Sequence, residues 1–74
     1  MSEPQVVILF HASAHALRAE KLLQQAGIAC KLIPVPRQLS SDCGVCLRMA
    51  RGDVGAARKT LAAAAVEVAA THEV

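Results

Sequence analysis

Apolar and polar positions divide the chain into six segments. Val6-Val7-Ile8-Leu9-Phe10 is an unbroken β-prone apolar run, which predicts a strand buried on both faces and central in its sheet. From Ala14 the period lengthens to that of a helix. Ala16, Leu17, Leu23 and Ala26 fit one apolar face, and Arg18, Glu20, Lys21, Gln24 and Gln25 point outward. Ser13 is the expected N-cap and Gly27 the expected C-cap. Ile28 to Ile33 alternates, with Ile28, Cys30 and Leu32 on one face. This predicts a second strand, ended by Pro34 and Pro36, which cannot donate ladder hydrogen bonds. Val45 to Ala50 alternates again, with Val45, Leu47 and Met49 on one face and Cys46 and Arg48 on the other. Asp53 is expected to cap an alanine-rich second helix from about Val54 to Ala64. Val66-Glu67-Val68-Ala69 fits either a continued helix or a short fourth strand, and its valines favour the strand.

The resulting β-α-β-β-α-β order predicts an α+β, ferredoxin-like sandwich: an antiparallel sheet with two helices on one face. In that arrangement the first and third strands are central neighbours. The end of the first strand, the start of the first helix and the start of the third strand then share one edge. His11, Ser13, His15 and Cys43 are therefore expected to converge there.

Composition narrows the picture. The 74 residues allow one domain, with an ordered core over about residues 5–70. Hydrophobic residues make up 54% of the chain, yet there is no Trp or Tyr and one Phe, so the core must be aliphatic. Such a small core has a thin stability margin, which a homodimer would widen. The net charge of +2 and the lack of aromatic platforms argue against nucleic acid. No apolar run approaches the ~18 residues of a membrane span, and the N-terminus lacks the basic start of a signal peptide. A cytoplasmic location is the expectation, with the three cysteines as reduced thiols rather than a disulfide frame.

The chemistry-bearing stretch is Pro34-Val35-Pro36-Arg37 followed by Ser40-Ser41-Asp42-Cys43-Gly44-Val45-Cys46. Cys43 stands at a loop-to-strand junction, where Gly44 would let a substrate or partner approach closely. The positive end of the first helix, His11 or His15, and Arg37 could each favour its thiolate, whereas Asp42 would oppose it. The bland alternative is a small cysteine in a tight turn. Cys46 completes a Cys-x-x-Cys spacing, readable as a resolving thiol, half of a zinc site, or core filling. Residues three apart in a strand point to opposite faces, so the two sulfurs need not meet. No second cysteine pair supports zinc, and neither a metal nor a cofactor is expected. Cys30 reads as core. Arg37, on a proline-stiffened loop, suits an anionic group or a partner carboxylate. A domain this small leaves little room for a deep pocket, which favours a group carrier over a stand-alone enzyme.

These blocks, from Phe10-His11-Ala12-Ser13-Ala14-His15 through Pro34-Val35-Pro36-Arg37 to Ser40-Ser41-Asp42-Cys43-Gly44, resemble the selenium/sulfur carrier protein-like family over about residues 6–70. The resemblance implies a cysteine holding sulfur or selenium as a persulfide or selenosulfide, and by position that residue is Cys43. It also implies a donor enzyme, such as a cysteine desulfurase, and an acceptor enzyme. The alternative is a binding or regulatory module that docks a partner through the Pro-Val-Pro-Arg loop.

Overall fold

A computed structural model describes residues 4–36 and 44–73. Its elements, in chain order, are β1 (Gln5–Leu9), α1 (Ser13–Gln25), β2 (Lys31–Pro34), β3 (Val45–Ala50), a 3-10 turn (Arg51–Asp53), α2 (Val54–Ala63) and β4 (Ala70–Glu73). The strands form one sheet in the order β2-β3-β1-β4, with every neighbouring pair antiparallel. This is the expected α+β class, and the order is compatible with a ferredoxin-like arrangement.

The apolar run of β1 explains its central place. Val6 through Phe10 are all buried, from 0% to 5% exposed, so both faces of this strand are covered. Alternation sorts the side chains into two clusters. Ile8 and Phe10 join Leu47 and Met49 of β3 beneath Ala16, Ala19 and Leu23 of α1 and Ala57 and Leu61 of α2. Both helices therefore lie on one face. Val7, Leu9 and Cys46 form the second cluster on the opposite face, flanked by Ile33, Val35 and Ala70.

Both helices end in the same way. After α1, the Ile28 N–H donates to Leu23 O at 2.9 Å and the Gly27 N–H to Gln24 O at 3.1 Å. Gly27 has φ +79°, the left-handed conformation this Schellman closure requires. After α2, the Val66 N–H donates to Leu61 O at 2.9 Å and the Ala65 N–H to Ala62 O at 3.1 Å. Here the left-handed position, φ +59°, belongs to Ala65, whose Cβ makes that conformation costly.

Six local expectations are corrected. The second strand runs over Lys31–Pro34, so it starts after Cys30 and includes the first proline. The C-cap of α1 is Ala26, and Gly27 is the left-handed residue after it. The N-cap of α1 is Ala12, not Ser13. Ala12 is extended and its carbonyl accepts from the His15 and Ala16 N–H groups, so the helix begins one residue early and Ser13 is its first residue. Asp53 does precede α2, but its side chain makes no capping bond. On α1, Ala19 turns inward with Ala16 and Leu23, while Leu17 is 52% exposed and Ala26 is also exposed. A residue next to Ala16 is displaced by about 100° around the helix, which puts Leu17 off the sheet-facing stripe. Finally, Val66 to Ala69 is neither helix nor strand. Val66 and Val68 face the helix-side core from the α2 closure onward, and the Ala69 N–H reaches Leu9 O at 2.8 Å, so the fourth strand starts at Ala70.

The strained closure of α2 gives a direct test. Ala65→Gly relieves the left-handed Cβ penalty and should raise stability by roughly 0.5–1 kcal/mol, while Gly27→Ala should lower it by about 1 kcal/mol or more. Urea unfolding midpoints compared with wild type measure both, and equal effects of the two substitutions would contradict the assignment.

Candidate functional site

Strand register gathers several chain ends at one edge of the sheet. Leu9 at the end of β1 lies opposite Cys46, Cys46 lies opposite Ile33, and Pro34 at the end of β2 lies opposite Val45 at the start of β3. The Val35 N–H donates to Gly44 O at 3.3 Å, holding the β2 exit against the β3 entry. The first turn of α1 follows β1 after a short connection, so His11, Ser13 and His15 come to this same edge as Gly44. All three are exposed. Arg37 and Cys43 lie outside the described residues. They belong to the segment 37–43, whose flanking residues Pro36 and Gly44 are both at this edge.

The described part of this edge combines an uncapped helix start with one carboxylate, Glu67. The first turn of α1 contains no acidic residue, and its N-cap makes no side-chain hydrogen bond. The partial positive charge of the helix terminus is therefore not offset by its own sequence. Gly44 is exposed, and a Cβ placed on it would meet nothing within 4 Å. Among the described residues nothing crowds that side of the backbone, and no positive φ requires glycine there. His11 Nε2 lies 3.9 Å from Glu67 Oε1, both side chains being mostly exposed. A pair so solvated contributes little to stability.

The two described cysteines occupy different settings. Cys46 is fully buried beside Val7 and Leu9 on the helix-free face, with its Sγ 4.0 Å from Pro34 O. Cys30 is partly buried near the start of β2, against the helix-side core. Burial, and then the Glu20 carboxylate, push its thiol above the usual 9.0. Among the described residues, no three His, Cys, Asp or Glu side chains are grouped to hold a metal ion. No described helix is long and apolar enough to cross a membrane.

At the far end of the strands are two open clefts. One, of about 310 Å³, is lined by Cys30, Lys31, Arg48 and Asp53 among others. The other, of about 810 Å³, is bordered by Pro4, Ala50, Arg51, Gly52 and Asp53. The Arg51 N–H donates to Pro4 O at 3.0 Å there, and Arg51 Nε pairs with Glu73 Oε1 at 3.0 Å. Neither cleft was singled out by the sequence pattern, because only the strand register joins these residues.

The Cys30 environment fixes two outcomes. In a Cys43→Ser protein at neutral pH, iodoacetamide should alkylate Cys30 more slowly than a free thiol and leave Cys46 unmodified until denaturant is added. Because the folded pKa of Cys30 is raised, the unfolded chain loses this proton first as pH increases. Stability is thus unaffected below the unfolded value and falls as pH rises past about 9, a slope that Cys30→Ser should reduce. Urea titrations from pH 7 to 10 read it.

Comparison with known proteins bears on the chain as a whole. Residues 5–73 match a family model described as "Putative Se/S carrier protein-like". Over 43 residues the chain is 33% identical to "Uncharacterized protein YtiA" of Escherichia coli (strain K12), an alignment covering 58% of this chain and 51% of that protein. The chain thus spans about half the length of that relative. No solved structure matches at a significant level. The family match takes in every strand and helix described above, and the chain belongs to the Se/S carrier protein-like family.

Proposed function

We propose that this protein is a small thiol-based carrier that holds sulfur or selenium on Cys43 and relays it between enzymes. The observation that supports the choice of residue is the contrast among the three cysteines. Cys46 is fully buried and Cys30 has a raised thiol pKa, so both described thiols are poor nucleophiles. Cys43 is the remaining cysteine, and it is bonded directly to Gly44, which is exposed at the edge where α1 starts. Peptide geometry tethers the two Cα atoms about 3.8 Å apart.

The transfer is an exchange without net oxidation. The Cys43 thiolate attacks the terminal sulfur of a donor enzyme's persulfide. A bond forms between Cys43 Sγ and that sulfur, the donor's S–S bond breaks, and the donor cysteine leaves as a thiolate. An acceptor nucleophile then attacks the same terminal atom and releases the Cys43 thiolate. A terminal selenium atom moves by the same exchange. In this proposal the α1 terminus, with Ser13, His11 or His15, stabilises the anion, Arg37 adds a positive charge, and Gly44 gives access. A cysteine desulfurase is a donor of the right chemistry, and a reducing cytoplasm suits reduced cysteines. The burial of Cys46 suits packing better than resolution of a persulfide.

Incubation with a cysteine desulfurase and cysteine, followed by intact mass measurement, tests this reading. Wild type, Cys30→Ser and Cys46→Ala should each gain about 32 Da, one sulfur atom, lost again on reduction. Cys43→Ser should gain none. An equal gain on Cys43→Ser would reject Cys43 as the carrier.

A further inference from the structure

The helix-free face of the sheet carries an arrangement that strand alternation alone does not reveal. Register places Lys31 of β2 directly opposite Arg48 of β3, Arg48 opposite Val7 of β1, and Val7 opposite His72 of β4. One row across the sheet therefore reads Lys31, Arg48, Val7, His72. Val7 belongs to the cluster on the helix-free face, and so do Cys46 and Ala70, each two residues from a member of this row. All four side chains of the row thus point to that face. Lys31, Arg48 and His72 are exposed, while Val7 between them is fully buried.

Two like charges directly opposite across an antiparallel pair repel. No described carboxylate offsets them. The strand positions on this face are Gln5, Leu9, Ile33, Cys46, Ala50 and Ala70 besides the row itself, and none is acidic. Glu73 points to the other face and pairs with Arg51. Asp53 borders the cleft at the strand ends but forms no ion pair with Lys31 or Arg48. Among the described residues the adjacent Lys31 and Arg48 charges therefore have no carboxylate partner; neighbouring strands are about 4.8 Å apart, so the row extends for about 14 Å from Lys31 to the His72 imidazole.

We infer that the Lys31–Arg48–His72 row is a docking surface for an acidic segment of a partner protein. Charge complementarity sets the sign of the partner. The absence of aromatic stacking surfaces favours protein carboxylates over nucleic acid: the chain's one aromatic residue, Phe10, is fully buried on the helix side. Position gives the surface its use. Arg48 is three residues from Val45, about 10 Å along the strand, so a protein seated on the row reaches the edge where Gly44 lies. That the docked protein is a sulfur donor or acceptor rests on the carrier reading; the charge-directed docking does not.

The test uses amide chemical shifts of the full-length protein titrated with a blocked ten-residue peptide alternating Glu and Ser. The shifts should concentrate at Lys31, Arg48, His72 and their strand neighbours and fade as sodium chloride is raised to about 0.3 M, where the Debye length is only several Å. Arg48→Gln should weaken binding severalfold and Arg48→Glu should abolish the row's response. Arg48→Glu should also raise the urea midpoint, since it puts a carboxylate opposite Lys31. Cys43→Ser should bind the peptide as wild type does, so loss of persulfide formation and loss of docking are separate results. The inference is overturned by shifts centred on the helix-side cations Arg18, Lys21, Arg58 and Lys59, or by a Gln/Ser peptide binding equally well. Tighter binding of a ten-nucleotide oligothymidylate at the same row would also overturn the protein assignment.

Discussion

The antiparallel pairing of β1 with β3 is the contact on which the other contacts are built. Every other described strand joins the sheet through one of these two: β2 pairs with β3 and β4 pairs with β1. The helices rest on Ile8 and Phe10 from β1 and on Leu47 and Met49 from β3. Burial of a large aliphatic or aromatic side chain contributes about 1.5–3 kcal/mol, and whole domains retain only about 5–15 kcal/mol of net stability. Loss of one central side chain is thus a large fraction of the total. In a chain with one phenylalanine and many alanines, the central pair supplies most of the large fully buried residues.

The same pairing decides what lies at each end of the sheet. Because β1 and β3 run antiparallel with Leu9 opposite Cys46, the exit of β1, the first turn of α1 and the entry to β3 must share an edge. The proposed carrier chemistry uses that edge. The opposite end collects the charged residues Lys31, Arg48, Arg51, Asp53 and Glu73, and only two of the five, Arg51 and Glu73, pair with each other. A group transfer at one end and a charged contact surface running back from it fit the proposed carrier.

The alanine-rich composition also has a visible structural cost. Alanines at 16, 19 and 57 fill the helix–sheet interface without bulk, and alanine is a favourable helix residue. Yet the same residue type at position 65 occupies a left-handed helix closure where glycine, as at position 27, would be unstrained. Neither helix has a side-chain cap at its start. For α1 this leaves the positive terminus available to a bound anion, so a locally weak feature of the helix coincides with a useful one for the proposed chemistry.

Much of this was legible in the sequence. The unbroken apolar run of Val6 to Phe10 announced a strand buried on both faces, and the alternation of Val45 to Ala50 matched β3 in both extent and orientation. Gly27 marked the end of α1 because a single residue's backbone freedom decides that position. At three places local pattern competes with packing. Ser13 looked like a cap, but chain entry from β1 put the extended residue at Ala12. Leu17 looked like core, but the rotation of α1 against the sheet turned Ala19 inward instead. Val66 and Val68 looked like strand, but the α2 closure drew them to the helix side before the ladder began. The identity of Cys43 as the residue of interest came from its sequence block, and it lies outside the described residues. The chain alone thus determined its elements and the order that implies the fold, because period and turn chemistry act over a few residues. Only the tertiary structure decided which helix face is inward, how fully Cys46 is buried and how Lys31, Arg48 and His72 line up. Those depend on register between strands distant in sequence, which no local pattern encodes.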